Sequence, residues 1–363
     1  MRDEDKLIIQ KTLKKIPRGD RKPLWLRFLA KLLRLSFILV IIAFLVALFG
    51  YIFMMTGKTE KADNINYGVT FSQLFAQQMD LDWQQAYLDI LDELGVDHLR
   101  LVAYWPLIEK EEGVYDFEAL DFQIEEAEKR DVQIILTMGY RVPRWPECHS
   151  PEWAKDFSKE KGQEEIRELL REITQRYKDS SAIWAWQVEN EPFLDDFGIC
   201  PDLDKDFLDE EIALVKSIDS NRPVILTTSG ELSIWAWPAK RTKILGTTLY
   251  QTVYSDAFGY IHYPITPAFY HKRASFVKKF FDVDKVMVIE LGTEPWGPKQ
   301  IYETSPDLHF QSMNVNEFKR TVEYAQKTGL SDIYFWGVEW WYWLDKKYGE
   351  VGIWNEAKKL WAE

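Results

Sequence analysis

The sequence predicts an α/β protein, a single (β/α)8 TIM barrel preceded by one transmembrane helix. From Tyr67 onward, short apolar runs alternate with amphipathic stretches, a pattern typical of repeated β-α units around a parallel sheet. No composition break or low-complexity linker divides the chain after Asn64, which favours one barrel over two smaller domains. A long uncharged run before that point indicates the helix.

The composition is that of a globular protein with a substantial core. The chain has 363 residues, of which 46% are hydrophobic and 28% charged. Its formal net charge of -13 argues against a nucleic-acid partner, because phosphate binding needs a basic face. Nothing in the composition indicates an oligomeric state.

The N-terminal segment predicts a membrane anchor. Residues 1–34 contain 11 Lys and Arg against 4 Asp and Glu, and residues 35–57 form an uncharged run of 23 residues. Such a run can cross a hydrocarbon core of about 30 Å as one helix, and the preceding positive charge keeps the tail cytoplasmic. No small-residue cleavage site follows, so an uncleaved anchor in the lipid bilayer is favoured over a signal peptide, with a buried core helix as the other alternative. We therefore expect a linker at 58–64 and an extracytoplasmic catalytic domain at 65–363, in a single-pass protein of the cell membrane.

Eight apolar runs are predicted to be the strands of the barrel. They are Tyr67–Phe71, His98–Val102, Val132–Met138, Ile183–Val188, Pro223–Thr228, Ile244–Tyr250, Val286–Ile289 and Asp332–Gly337. The segments between them carry helical spacing, as in Ile166, Leu169, Leu170, Ile173 and Tyr177.

Reactive side chains in such a barrel gather after the strands, and two runs deliver a carboxylate there. Glu191 follows the fourth run and Glu290 the seventh, so the two side chains can face a shared gap. Glycoside cleavage with retention needs two carboxyl groups about 5–5.5 Å apart, one as nucleophile and one as acid and then base.

These residues lie in motifs that resemble those of clan A (β/α)8-barrel glycoside hydrolases. The triplets Asn190-Glu191-Pro192 and Glu290-Leu291-Gly292 are similar to the strand-four and strand-seven motifs of family 5 cellulases and their relatives. Arg100, Trp105 and the stretch IEKEEGVYDF at 108–117 are similar to a run in β-galactosidase-like barrels. The resemblance covers most of residues 65–345.

The resemblance implies a role for each matching residue. Glu191 would be the acid/base, Glu290 the nucleophile, and Asn190 the partner of the sugar 2-hydroxyl. Trp336, which ends the eighth run, would form the floor of the subsite that binds the cleaved sugar. The His-x-Tyr of many family 5 members is reduced here to Tyr250, which could orient Glu290, so the family itself stays open.

Further substrate-binding residues are predicted from their positions after strands. The predicted set is Arg100, Trp105, Trp145, Asn190, Tyr250, Trp296, Trp336 and Glu339. For each Trp the alternative is packing against barrel helices, and for Arg100 a plain salt bridge. Glu294, four residues after Glu290, is the alternative nucleophile. Glu189, one layer deeper in the barrel, is the alternative to Glu191.

The two cysteines and the absence of ligand spacing complete the predicted site. Cys148 follows the third strand and Cys200 the fourth, so a disulfide could staple adjacent loops at the mouth. The five His residues show no metal-ligand spacing, and no Gly-rich phosphate loop follows a strand, so neither metal nor cofactor is expected.

The function expected from these observations is that of a membrane-anchored retaining β-glycosidase that hydrolyses an oligo- or polysaccharide. Two alternatives remain at this point. A transglycosidase would use the same residues with a sugar as acceptor, and a surface barrel that only binds glycans would keep the aromatic cleft without the chemistry.

Overall fold

The computed structural model describes residues 24–194 and 197–362, and the chain separates after Met54 into two compact units. Most of the predicted cytoplasmic tail, residues 1–23, lies outside the described residues. The described part of the first unit is helical, and the second unit, which begins at Met55, holds the barrel.

A single helix, α1 (Leu24–Met55), makes up the described part of the first unit. Its segment Lys31–Met55 has a mean hydropathy of 2.9 and no buried residue, so it has the length and composition of a membrane span or signal anchor. The helix starts well before the predicted Leu35, because the residues ahead of that position are mostly Leu, Arg and Lys, which are strong helix formers.

The second unit is a closed barrel of eight parallel strands with helices between them, which confirms the predicted fold class. The barrel strands are β1 (Asn66–Thr70), β2 (His98–Val102), β3 (Gln133–Met138), β4 (Ile183–Val188), β5 (Val224–Thr228), β6 (Ile244–Leu249), β9 (Lys285–Gly292) and β10 (Asp332–Trp336). Neighbours in the ring follow the order of the chain, and β1 closes it by pairing with β10.

Two features of the sheet differ from the prediction. A two-stranded antiparallel hairpin, β7 (Thr252–Ser255) and β8 (Gly259–His262), follows β6 and was not predicted. It consists of two four-residue strands, too short for a clear alternating pattern. The seventh barrel strand β9 also extends to Gly292, so Glu290 lies inside the strand rather than after it.

The helices pack around the barrel. Beyond α1 they are α2 (Gln73–Gln78), α3 (Trp83–Asp89), α4 (Trp105–Ile108), α5 (Glu118–Glu128), α6 (Lys159–Tyr177), α7 (Lys205–Ile218), α8 (Ala236–Ala239), α9 (Pro267–Phe280), α10 (Pro306–His309), α11 (Val315–Gln326), α12 (Val338–Trp343) and α13 (Gly352–Trp361). Single 3-10 turns lie at Glu152–Ala154 and Ile301–Glu303, and π-helical turns at Ile90–Leu94 and Leu344–Tyr348 continue α3 and α12.

Local sequence explains where the longer helices begin and which face they bury. Ser158, Asp204 and Asn314 precede α6, α7 and α11, and each side chain accepts a hydrogen bond from a backbone N–H of the first turn. The predicted apolar stripe of α6 is buried against the barrel. Inside the closed sheet, a separate small cluster of buried apolar side chains fills part of the barrel. Its members are Ile135, Ala185, Ile225, Met287, Ile289 and Tyr334.

Candidate active site

A bulge in β9 turns Glu290 toward the interior of the barrel. Val288 pairs with Thr247 of β6, but the next pair joins Glu290 to Thr248, so Ile289 is an extra residue in β9. Ile289 already points into the inner cluster, and strict alternation would send Glu290 outward. A bulge re-aims the side chain that follows it, and here that side chain is the predicted nucleophile.

Two donors hold the Glu290 carboxylate. Arg100 of β2, itself fully buried, donates from Nη1 to Oε1 at 2.6 Å, and the Tyr250 hydroxyl donates to Oε2 at 2.9 Å. A charge-assisted pair of this kind stabilises the negative form of a buried carboxylate. Arg100 thus lies beside the predicted nucleophile, and the contact is also a salt bridge.

Arg100 also ties Glu290 to the end of β4. It donates from Nη2 to Asn190 Oδ1 at 2.7 Å and from Nε to Gln187 Oε1 at 2.8 Å. Gln187 in turn donates to the backbone oxygen of Glu189 at 3.0 Å. The guanidinium therefore fixes the chain on both sides of the gap, because each of its three donor groups has its own acceptor.

Glu191 is held in a tight turn directly after Asn190. Its φ is 43°, in the left-handed region, and its backbone N–H donates to Thr227 Oγ1 at 2.8 Å. The side chain is buried, and burial is the largest cause of a pKa well above the ordinary value, followed by the negative charge of Glu290. The environment thus favours the protonated form of Glu191, whereas Glu290 is paired with Arg100.

The end of β6 shows that the two carboxyl groups are close. Thr248 donates to Glu191 Oε1 at 3.4 Å, and Tyr250, two residues on, donates to Glu290 Oε2 at 2.9 Å. Residues two apart along an extended chain are about 7 Å from one another on one face. The two carboxyl groups therefore have donors only two residues apart in the chain, and the charge of Glu290 acts on Glu191.

Glu189 does not share this gap. Its φ is 57°, so alternation fails here, and its carboxylate accepts from the backbone N–H groups of Tyr140 at 2.7 Å and Arg141 at 2.6 Å. Its titratable neighbour is Glu211 of α7, outside the sheet. Glu189 thus anchors the loop after β3, and the hydrogen bonds of the Arg100 guanidinium go to other residues.

Two further carboxyl groups, the buried Glu147 and the half-buried Glu231, lie next to the gap and were not predicted from the sequence. Glu147, in the loop after β3, accepts from Asn190 Nδ2 at 3.1 Å. Burial, with the nearby charge of Glu290, raises the pKa of Glu147 to about 8. Glu231, after β5, accepts from Tyr250 N at 2.8 Å and Tyr270 Oη at 2.5 Å, and burial raises its pKa to about 7.

A further cluster of charged side chains lies near the ends of β9 and β10. Arg144 donates to Glu294 Oε1 at 2.6 Å and to Glu339 Oε2 at 2.7 Å, and its guanidinium lies 4.1 Å from the centre of the Trp336 ring. Trp336 Nε1 also donates to Glu294 Oε1 at 2.7 Å. Among the described side chains, Glu294 Oε2 is buried without a hydrogen-bond partner, so it remains available to a hydroxyl group.

Glu294 therefore has a different environment from Glu290. Its hydrogen bonds come from Arg144 and Trp336, whereas those of Glu290 come from Arg100 and Tyr250. Its position beside Trp336 suits hydrogen bonding to a ligand better than attack on one.

The predicted tryptophans separate into two groups. Trp105 is buried, donates from Nε1 to Glu109 Oε2 at 2.7 Å and packs edge-on against Trp153. The indole is thus unavailable for stacking on a sugar, which corrects its predicted role. Glu109 also accepts from Gly113 N at 2.7 Å, so the β-galactosidase-like run shapes its own loop.

The remaining predicted tryptophans border the mouth of the barrel. Trp145 is 50% exposed in the loop after β3. Trp296 lies edge-on to Tyr250, with ring centres 5.8 Å apart, and borders a cleft of about 300 Å³ with Glu294. These rings and Trp336 surround the carboxyl groups from the β3, β9 and β10 loops.

A disulfide joins the β3 and β4 loops at the mouth. Cys148 and Cys200 are bonded, with Cα atoms 5.3 Å apart. Close by, Ile199 N donates to Pro146 O at 2.9 Å. Across residues 24–194 and 197–362, no group of His, Cys, Asp and Glu has the arrangement of a metal site.

Comparison with protein families identifies relatives of part of the chain. The model of glycoside hydrolase family 42, described as β-galactosidase, matches residues 74–213. The match includes Arg100, Asn190 and Glu191 but ends before Glu290.

Curated relatives point to the same class of enzyme. A probable mannan endo-1,4-β-mannosidase F of Aspergillus oryzae is 26% identical over 210 residues, which are 50% of this chain and 43% of that protein. The β-galactosidase Bga of Halorubrum lacusprofundi is 26% identical over 128 residues, 30% of this chain and 18% of that protein. The chain thus spans less than half the length of these relatives.

Solved structures share the fold. A GH5_18 protein of Streptomyces cattleya in complex with GlcNAc has a TM-score of 0.52 at 14% identity, covering 76% of this chain and 71% of that one. The exo-β-1,4-mannosidase Op5Man5 of Opitutaceae bacterium strain TAV5 has a TM-score of 0.53 at 15% identity, covering 77% and 53%. The predicted likeness to clan A (β/α)8-barrel glycoside hydrolases, family 5 and β-galactosidase relatives among them, is confirmed.

Proposed function

We propose, for a chain whose relatives in sequence and fold are clan A barrel glycoside hydrolases, that it is a retaining β-glycosidase that hydrolyses O-glycosidic bonds of an oligo- or polysaccharide. One observation carries the proposal. Glu191 and Glu290 lie above the same end of β6 in opposed environments, one buried with a raised pKa and the other bonded to Arg100. Two carboxyl groups with opposed protonation are what a double displacement requires.

In the first step, Glu290 attacks the anomeric carbon while Glu191 gives its proton to the leaving oxygen. The glycosyl group is then bound to Glu290, and Glu191 has become a carboxylate. In the second step Glu191 takes a proton from water, the resulting hydroxide attacks the anomeric carbon, and Glu290 is released. Arg100 and Tyr250 hold the nucleophile in place through both steps.

The sugar would be bound by side chains around these two groups. Asn190, fixed by Arg100 and Glu147, presents its amide to the sugar hydroxyl next to the anomeric carbon. Trp336 offers an apolar ring face, and the free oxygen of Glu294 accepts from a hydroxyl group farther out. Glu339, predicted to bind sugar, is fully buried, and its two oxygens already accept from Ser72 N and Arg144, so it positions Arg144 instead. Trp145 and Trp296 would bind neighbouring sugars at the mouth. Mannosides and β-galactosides are the first candidates, because the named relatives act on these sugars.

We also propose that α1 anchors the enzyme in the cell membrane, with the N-terminus in the cytoplasm and the barrel outside. Lys31–Met55 is apolar and unburied, and the residues before it are rich in Lys and Arg. A disulfide in the barrel fits an oxidising location.

Turnover of p-nitrophenyl β-mannoside and β-galactoside by the full-length protein, purified in detergent, tests the activity. Glu191→Gln and Glu290→Gln should each lower kcat/KM at least about a thousandfold, because each removes a group of the transition state. Glu350→Gln, at an exposed position, is the control. Loss of turnover in Glu294→Gln with full turnover in Glu290→Gln would overturn the assignment of the nucleophile.

Two alternatives have their own outcomes. Incubation with an activated 2-deoxy-2-fluoro glycoside should leave a covalent sugar on Glu290, detectable in a peptide mass spectrum. A barrel that only binds glycans gives no adduct. A transglycosidase gives the adduct but forms mainly longer oligosaccharides when an acceptor sugar is present.

A further inference from the structure

Exposed apolar side chains are concentrated on one side of the barrel mouth. We call the following five residues the apolar rim: Ile199, Leu232, Ile234, Trp237 and Phe258. All are at least 41% exposed, and Phe258 reaches 81%. Scattered single apolar residues are normal on a surface, but several on adjoining loops indicate a docking surface.

The sheet topology places these residues next to one another. They lie in the segments that follow β4, β5 and β6, Trp237 in the short helix α8, and these three strands are consecutive in the ring. Loops after the strands lie at the mouth, on the same end as Glu191 and Glu290. The rim is therefore a continuous edge of the proposed site.

The barrel unit begins beside α9. Its first residue, Met55, accepts a hydrogen bond from Thr266 Oγ1 at 2.8 Å, and Thr266 directly precedes α9. Helices of such a barrel start at the mouth, and Tyr270 in the first turn of α9 reaches Glu231 beside the site. The hairpin that carries Phe258 lies just before Thr266 in the chain.

Positive charge accompanies one aromatic residue of the rim. Lys205 Nζ lies 4.7 Å and Lys240 Nζ 4.9 Å from the centre of the Trp237 ring. An exposed Trp flanked by two Lys is a typical arrangement at a membrane interface, where the ring meets the apolar boundary and the ammonium groups meet anionic headgroups.

We infer that the apolar rim docks on the surface of a lipid bilayer, and that the substrate is a β-glycoside whose aglycone is a hydrocarbon chain held in that bilayer. The sugar enters the site while the chain stays in the lipid beside the rim. The inference rests on the proposed glycosidase activity and deepens it by naming the aglycone.

The test uses the full-length protein in lipid nanodiscs and two independent readouts. The first is a photo-reactive benzophenone amino acid in place of Phe258, with the same replacement of Phe276 as the control. Phe276 is exposed but lies near the end of α9 away from the mouth. Irradiation should cross-link position 258 to lipid acyl chains and position 276 far less.

The second readout compares a membrane-held and a soluble substrate. The triple variant Leu232→Ser, Ile234→Ser, Phe258→Ser should lower kcat/KM about tenfold or more for dodecyl β-mannoside or β-galactoside in the nanodisc, because it removes apolar contact with lipid. For the matching p-nitrophenyl glycoside the change should stay below about twofold. The control variant Phe276→Ser, Phe280→Ser should leave both values unchanged.

Each other result has a definite meaning. No lipid cross-link at position 258, or an equal loss for both substrates, overturns the inference. Cross-linking with full turnover of the dodecyl glycoside by the triple variant overturns the substrate class. Cross-linking without turnover of any glycoside supports the lipid surface and contradicts the proposed activity.

Discussion

The proposed roles of the two carboxyl groups at the centre of the site depend on the strands and turns on which they stand. Glu191 occupies the left-handed region, where a non-Gly residue costs about 1 kcal/mol or more. Thr227 holds the turn by accepting from the Glu191 N–H, so the fold compensates for the strain. The turn points the carboxyl group into the gap that it shares with Glu290.

Removing one hydroxyl group tests how far the nucleophile depends on its donors. Tyr250→Phe deletes the hydrogen bond to Glu290 Oε2 and leaves the ring in place. A hydrogen bond to a charged group contributes about 1.5–3 kcal/mol, so we expect kcat to fall about 10–100-fold with KM little changed. Steady-state kinetics with an aryl glycoside measures both constants.

Tyr254→Phe is the matched control for that experiment. Tyr254 packs edge-on against Tyr260 in the hairpin and does not contact either carboxyl group. Equal kcat values for the two variants would contradict the proposed role of Tyr250.

Glu147 should make stability depend on pH. Its pKa is about 8 in the folded chain and about 4.3 when unfolded. The folded state therefore keeps this proton up to a higher pH than the unfolded state does. The resulting contribution to the free energy of unfolding is complete below about pH 4 and is lost as the pH rises toward 8. Glu147→Gln keeps an acceptor for Asn190 but cannot ionise, so its free energy of unfolding should fall less between pH 5 and 8, by on the order of 3 kcal/mol.

Urea unfolding followed by tryptophan fluorescence at three pH values measures this difference. Glu350→Gln, which replaces an exposed carboxylate, should follow the parent protein at every pH. Parallel curves for the parent and Glu147→Gln would show that Glu147 is already ionised at pH 5.

The sequence identified the residues whose place is set by a strand. Arg100, Asn190, Glu191, Tyr250 and Glu290 all lie in or directly after apolar runs, and the structure brings them together. The residues that it missed, Glu147 and Glu231, stand in loops, and Arg144 went unnoticed in the same loop as Glu147. Their burial depends on contacts with distant parts of the chain, which local pattern does not reveal.

At the scale of the element, the strands were easier to predict than their irregularities. Seven of the eight runs agree with the strand bounds within about a residue because buried parallel strands read as continuous apolar runs. The bulge at Ile289 leaves no such mark, since an extra apolar residue only lengthens the run. Alternation also misplaced Glu189, because its positive φ takes the chain out of the extended conformation.

Gly337, which directly precedes α12, has no room for a side chain because Glu294 lies beside it. Its φ is 113°, and a Cβ atom there would lie 2.5 Å from Glu294 Cβ. Gly337→Ala should therefore lower the free energy of unfolding by on the order of 3 kcal/mol and displace Glu294. Gly113→Ala is a control for the backbone cost alone, since its φ is 75° in open space, and we expect about 1 kcal/mol. Equal losses in urea unfolding would show that the site yields to the added methyl group.

At the scale of the whole molecule, one apolar helix and one acidic barrel share a chain. The helix was predicted from charge and length alone, and both properties are visible without any knowledge of tertiary contacts. The arrangement of the barrel loops could not be predicted in this way, because each loop is shaped by its neighbours in the ring.

Two arginines inside the span should abolish stable anchoring. Leu39 and Leu45 lie within the 25-residue apolar segment, and an Arg near the middle of a span costs about 3 kcal/mol. Leu39→Arg, Leu45→Arg should therefore be released from membranes at high pH, where the parent stays in the pellet. Val114→Arg, Val351→Arg changes two exposed apolar residues of the barrel and should stay with the membrane. Release of the parent chain by alkaline extraction would contradict the anchor.

The closure of the ring between β1 and β10 has a consequence for biosynthesis. Asn66 and Asp332, whose side chains bond across this seam, are 266 positions apart. A nascent chain therefore presents β1 with one unpaired edge until nearly the whole protein has been synthesised. Any fragment that ends before Asp332 keeps open edges on both β1 and β9, which makes it a target for aggregation or quality-control proteolysis.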